Sequence, residues 1–375
     1  TANGGFGGTN PSGWNVLWPG RGAGPVPFIS GNDVRITSAA IVAHNLNWSG
    51  LTDANWNTTT TNFYNNTTSS NDHYTEFDNV TFSDTYNTGS PTPVANTNVT
   101  LPGVVNPGVV TINSNSTNYT FAGAGRIGGS GSLVKQGTST VTISNANTYT
   151  GGTTISNGIV NLGTAGVLGT GTVTLAGGKL HREAGTVSNA IVVQASTTST
   201  ISNNHNTSGL LLLNGAISGS GNLVLENNSP GVPDGDPPTA PVVNGIDFGG
   251  DNSGFTGTIT IGGPTPVFYR SRLATSMGTN AAWNLGNNGS TVGAVVGANS
   301  VFNVGSLAGG PAATVSGHES GGGVGSSTYR IGALNTSTEF SGLVKDGRMD
   351  TNTGNFTAIT KVGTGTLTLS GANTY

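Results

Sequence analysis

The sequence predicts an all-β protein, a right-handed parallel β-helix closed at its N-terminal end by a Trp-rich cap. Three observations carry this expectation. Residues 135–149 (KQGTSTVTISNANTY) return as 361–375 (KVGTGTLTLSGANTY), with ten of fifteen positions identical. Self-similarity of this kind marks stacked units that bury their apolar faces only against one another. Within the copies, 140–144 and 366–370 alternate hydroxyl and aliphatic side chains, the period of a strand with one buried face. Charged residues are 7% of the 375, and 62 residues are Gly, so Thr, Asn and Ser cover the surface while Gly and Asn supply tight turns.

The composition also excludes classes. A low charge content with a net charge of −4 does not fit highly charged disordered chains. Gly has no three-residue period, which excludes collagen. No segment sustains a 3.6-residue apolar period, so almost no helix is expected. The chain has no Cys, which rules out disulfides, thiol catalysis and Cys-ligated metals. The longest aliphatic run, 210–213, is far too short to cross a bilayer. No basic-plus-apolar leader precedes Thr1, as expected of a processed or excerpted product. The 12 basic residues are scattered singly and form no cationic patch for nucleic acid or anionic lipid.

Along the chain, residues 1–93 read as the cap and the start of the stack. Four of the five Trp (Trp14, Trp18, Trp48, Trp56) lie there. An open solenoid end exposes apolar interior and unpaired strand edges, so packing of the cap is the favoured role for these rings. A glycan-stacking platform is the alternative. Residues 94–228 form β-helix with the first repeat, with strands expected at 109–113, 119–122, 140–144, 153–156, 159–162, 172–176, 191–194 and 210–213. A second echo matches IGGSGSLV at 127–134 with ISGSGNLV at 217–224. Residues 229–254 read as a loop insertion, because five Pro between Pro230 and Pro241 remove ladder donors. Residues 255–375 then resume the β-helix and end in a second, truncated repeat. With coils of roughly 20–25 residues spaced about 4.8 Å apart, the rod would be on the order of 70–90 Å long.

At these repeats the chain resembles the autotransporter-associated β-strand repeat family of bacterial secreted and surface proteins. The similarity rests on 133–153 (LVKQGTSTVTISNANTYTGGT), where Ser139 replaces the family's second Gly, and on 360–375, where that Gly is Gly365. Residues 329–342 are similar to the lead-in of such repeats. Residues 48–57 and 78–82 look like the start of a large passenger region. The resemblance implies a right-handed parallel β-helix, export, and a passenger or surface-fibre role, with the repeat as scaffold.

Several constellations hold residue types that could carry chemistry. Gly250-Asp251-Asn252-Ser253-Gly254 is similar to the Gly-Asp-Ser-Gly of serine proteases, but the inserted Asn would move the nucleophile away from the donors it needs. None of His44, His73, His181, His205 and His318 sits in a protease context. Polysaccharide-cutting β-helices need two or three carboxylates near one coil. The clusters available are Asp72/Glu76/Asp78 and Asp234/Asp236/Asp247/Asp251. In extended chain the first three would share a face and could bind Ca²⁺, although a solvated cap-edge loop is favoured. Asn147 and Asn373, with Tyr149 and Tyr375, read as structural ladder positions.

The expectation is therefore an extracellular or cell-surface, structural or adhesive rod that is not an enzyme. No catalytic, cofactor-binding or metal residue is assigned, and no cofactor. Its partners would be itself, head to tail through residues 1–5, or glycans and surfaces. The alternative is a polysaccharide-acting enzyme or a glycan-binding tailspike-like β-helix, for which Asp234, Asp236 and Asp251 are the discriminating residues.

Overall fold

The computed structural model describes residues 27–30, 33–36, 42–163, 166–203, 210–227, 245–264, 266, 268–294, 299–318, 325–347 and 355–375. Among these the chain forms short strands and no helix. The strands stack as a parallel β-helix. In each turn the chain visits three faces, and each strand pairs with its counterparts in the turns before and after.

The alternation seen in the sequence builds the core directly. On the first face Val80, Val110, Leu133, Thr153, Val173, Ile191 and Ile217 stand in one column. On the second, Tyr119, Val141, Val160, Leu180, Ile201, Leu225 and Ile261 do the same. These columns face inward and merge into one continuous apolar core running the length of the stack. Thr142 and Asn161, between the buried positions, face outward. Period two thus divides every rung into a dry side and a wet side.

The second face is a ten-stranded parallel ladder from Asn98–Thr100 to Ser306–Ala308, extended by Thr338–Phe340 and Leu367–Leu369. At about 4.8 Å per rung this gives a stack of about 55 Å. That is shorter than the 70–90 Å expected, because among the described residues the stretch before Asn98 adds an antiparallel hairpin and no strand to this face. The first face runs from the cap to Ile217–Gly219. In chain order its place is later taken by Ser300–Val304, Ser327–Ile331 and Thr357–Lys361.

The cap closes the N-terminal end by changing strand direction. Asn45–Trp48 pairs parallel with Asn79–Ser83, but antiparallel with Phe63–Asn65, which pairs antiparallel with Ser70–Asp72. Under this hairpin Trp48, Trp56, Phe63, Tyr74 and Phe82 form a ring cluster with centroids 5.2–6.2 Å apart. Trp48 and Trp56 are fully buried, so neither offers a ring to a glycan. The platform alternative fails for these two, and Trp14 and Trp18 lie outside the described residues. Large rings thus fill the core beneath the hairpin.

One boundary is corrected. The stretch 229–254 is not loop throughout: Gly245–Phe248 is a buried strand of the third face, between Leu210–Leu213 and Phe268–Ser271. All five prolines precede it in the sequence, and residues 228–244 lie outside the described residues. The strand Gly-Ile-Asp-Phe carries a buried Asp, which hides the usual apolar alternation.

Candidate functional site

The repeated residues are spent on the stack. In the first repeat, the Asn147 side chain joins three coils: Oδ1 accepts the Ile127 N–H (2.8 Å), and Nδ2 donates to the Val167 carbonyl (3.1 Å). In the second repeat, Asn373 Oδ1 accepts the Val344 N–H at 2.9 Å. A third residue does the same work. Asn252 Oδ1 accepts from Ile217 N–H, and its Nδ2 donates to Ser276 O, both at 2.7 Å. The protease-like Gly250–Gly254 segment is thus a degenerate repeat turn, with Phe255 buried as Tyr149 is. The signal was present as Asn-x-x-aromatic-Thr-Gly, masked by one extra residue.

The repeat lysines also bond main-chain carbonyls of their own turn. Lys135 is fully buried, and its ammonium donates to the carbonyls of Gln136 (2.5 Å), Gly137 (2.7 Å) and Asn157 (3.4 Å). Burial pushes its pKa down to about 8. Lys361 repeats the contact with the carbonyls of Val362 and Gly363. The glycines that follow, Gly137 (φ 63°) and Gly363 (φ 69°), have left-handed backbones in the same turn. A Cβ there would lie 2.3 Å from Ser114 O and 2.1 Å from Gly332 O, so only glycine lets the coils approach. Where Ser139 replaces the second glycine, its Oγ bonds the Ser114 Oγ at 2.6 Å.

The acidic candidates are placed one by one. Asp72, Glu76 and Asp78 do not share a face, because residues 73–78 turn, with Phe77 at φ 75°. Asp78 is fully buried and accepts the backbone N–H groups of His44 (2.8 Å) and Thr75 (2.9 Å). Glu76 accepts the Asn106 N–H (2.7 Å) and the Tyr74 hydroxyl (3.2 Å). Asp72 accepts from His73 N–H and Asn65 Nδ2, with the His44 and His73 rings beside it. These carboxylates fasten the cap. No group of three or more His, Cys, Asp or Glu suited to a metal ion occurs among the described residues.

Asp247 is buried between two guanidinium groups, with Arg270 Nε at 2.7 Å and Arg272 Nε at 2.5 Å. Asp251 accepts the Ser253 N–H in an exposed turn. Asp234 and Asp236, like His205, lie outside the described residues, and so does the side chain of His318. His181 faces outward from the second face, its Nδ1 2.8 Å from the fully buried Ser202 Oγ.

Two fastenings escape sequence reasoning because their partners are far apart in the chain. Asp84 accepts the backbone N–H groups of Asn115, Ser116 and Thr117 at 2.8–3.1 Å. Burial works to raise its pKa, but the N–H groups of Asn115 and Ser116 and the neighbouring hydroxyls outweigh that and hold it below its ordinary value. Lys179 and Glu226 form an ion pair of 2.6 Å across two coils.

The passenger-associated-transport-repeat model matches the chain at residues 133–162 and 359–375, the two copies whose clamps are described above. No curated protein and no solved structure matches the chain. No helix among the described residues is long and apolar enough to cross a membrane, which says nothing about strands that might do so.

Proposed function

We propose that this β-helix, which carries two passenger-associated-transport repeats, serves as a non-enzymatic rod of a secreted or cell-surface bacterial protein. The observation that carries the reading is where the repeat's polar residues go. Asn147, Asn373 and Lys135 all bond main-chain groups, and Tyr149 is buried with its hydroxyl 2.7 Å from Thr153 Oγ1. Residues spent in this way serve the scaffold, and contact with other molecules falls to the hydroxyl- and amide-rich outer faces. Main-chain ladders shared by every coil resist extension along the axis. Glycans or other surfaces are the partners such faces suit.

Head-to-tail self-association is the weaker part of the expectation. The antiparallel strands Phe63–Asn65 and Ser70–Asp72 already occupy the N-terminal edge of the first face. Residues 1–5, which were to complete the neighbouring repeat, lie outside the described residues. The enzyme alternative finds no favouring geometry in its candidate carboxylates: Asp72, Glu76, Asp78 and Asp247 are each bonded into the fold.

Small-angle X-ray scattering of the purified chain tests the rod. The expected pair-distance distribution is skewed, with a cross-section maximum and a long tail. A symmetric, near-spherical distribution sinks the reading.

A further inference from the structure

Arg182 stands where an aliphatic residue belongs. The inward column of the second face runs Val99, Phe121, Ile143, Leu162 and then Arg182, which is 7% exposed. Placing a guanidinium in an apolar column is costly unless something repays the lost hydration. Its Nε donates to Ala184 O at 2.8 Å and another of its nitrogens to Gly166 O. Burial lowers its pKa.

Beside Arg182 the third face is split. Val167 bridges to Ala146 in the coil before, whereas Gly185–Val187 is the edge strand of the seven-stranded sheet that follows. A cavity of about 290 Å³ sits at this break. Leu162, Leu168, Val187 and Arg182 form its buried floor, and the exposed Thr170, Thr186 and Ser188 form its rim. Asn189 ties the two coils across the gap, Nδ2 donating to Gly169 O (2.6 Å) and Gly171 O (2.8 Å). The break is therefore held at a set width.

We propose that this pocket binds the carboxylated pyranose of an acidic glycan. A guanidinium in a poorly hydrated floor favours a carboxylate, with planar, charge-assisted geometry. The aliphatic floor suits the C–H face of a sugar ring, and the three rim hydroxyls match ring hydroxyls. The volume sits just below the range of small-molecule pockets, which begins at about 300 Å³, so the space suits one ring and no more. The inference rests on the surface-contact part of the proposed function and not on the rod itself.

Isothermal titration of the whole chain with methyl glucuronoside, methyl glucoside and acetate tests it. The uronide is expected to bind with a Kd of about 1 mM, at least tenfold tighter than either comparison ligand, and more weakly at high salt. Arg182→Lys should weaken the uronide at least tenfold. Because that variant also disturbs the bonds of Arg182 to main-chain carbonyls, Thr186→Trp on the exposed rim provides a second block that leaves Arg182 in place, and it should abolish binding with an unchanged urea midpoint. A uronide no tighter than the glucoside overturns the carboxylate assignment, and acetate as tight as the uronide overturns the sugar. Scattering that still reports a rod, without uronide binding, overturns the pocket alone.

Discussion

Asn252 occupies in its coil the place that Asn147 holds in the first repeat: each side chain accepts an N–H from the coil before and donates to a carbonyl of the coil after. A side-chain amide does both at once from two separate atoms, an accepting oxygen and a donating nitrogen, without carrying charge. Replacing either Asn by Asp keeps the acceptor and removes the donor, which leaves the buried Ser276 carbonyl or the partly exposed Val167 carbonyl without its amide partner. Asn147→Asp and Asn252→Asp should each cost about 1–3 kcal/mol, measured as the shift in urea midpoint at constant m-value. A cost at Asn147 with none at Asn252 removes the equivalence.

Gly137 combines a left-handed φ of 63° with a would-be Cβ position 2.3 Å from Ser114 O, whereas a Cβ on Gly103 meets nothing within 4 Å. Gly137→Ala should therefore destabilise by about 1–3 kcal/mol through strain and separation of the coils. Gly103→Ala should stay within about 0.5 kcal/mol of the parent. Thermal melts of the two variants side by side decide the matter, and equal melting temperatures would show that the coil spacing tolerates a methyl group.

Much of the stack was legible because a β-helix writes its core in a short code. Thr140–Ile143 and Ile159–Leu162 alternate cleanly, and the structure places both as expected. Gly245–Phe248 escapes the sequence because the positions that alternate with its inward Ile246 and Phe248 carry Gly and Asp, and the Asp is paired with Arg270 and Arg272 further along the chain. The pocket was invisible for a related reason. Arg182 reads as a surface residue until the register shows that it follows Ile143 and Leu162 in one column. Local pattern finds strands, but only the pairing between coils shows which odd residue lies inside.

Lys135 makes stability depend on pH in an unusual direction. Its folded pKa of about 8 lies below the ordinary 10.5, so between these values the unfolded chain binds the extra proton. Stability contributed at this position therefore rises as pH increases from about 8 towards 10.5, by at most about 1.4 kcal/mol per pH unit. Buried Tyr149, whose pKa is raised by burial, acts oppositely once unfolded tyrosines begin to ionise near pH 10. The clean comparison is the difference between the parent and Lys135→Met from pH 7.5 to 9.5. A difference that stays flat across that window contradicts a depressed lysine.

Asp84 gives the opposite limb. Its carboxylate receives three backbone N–H groups from the loop 115–117, and its folded pKa is depressed. The associated stability is present above the unfolded value of about 3.9 and is lost as pH falls towards the lower folded value. The group is partly open to water, so screening trims the effect. Asp84→Asn keeps the shape and one acceptor oxygen but removes the charge, and should cost about 1–2 kcal/mol at pH 7. At pH 2–3, where the unfolded chain's carboxyl is protonated while the folded one still resists protonation, part of this stability is lost and the gap between the two proteins should narrow. Guanidinium titrations at pH 7 and pH 2.5 measure both points. A gap of the same size at the two pH values would mean that the loop is held by shape and not by the ionised carboxylate.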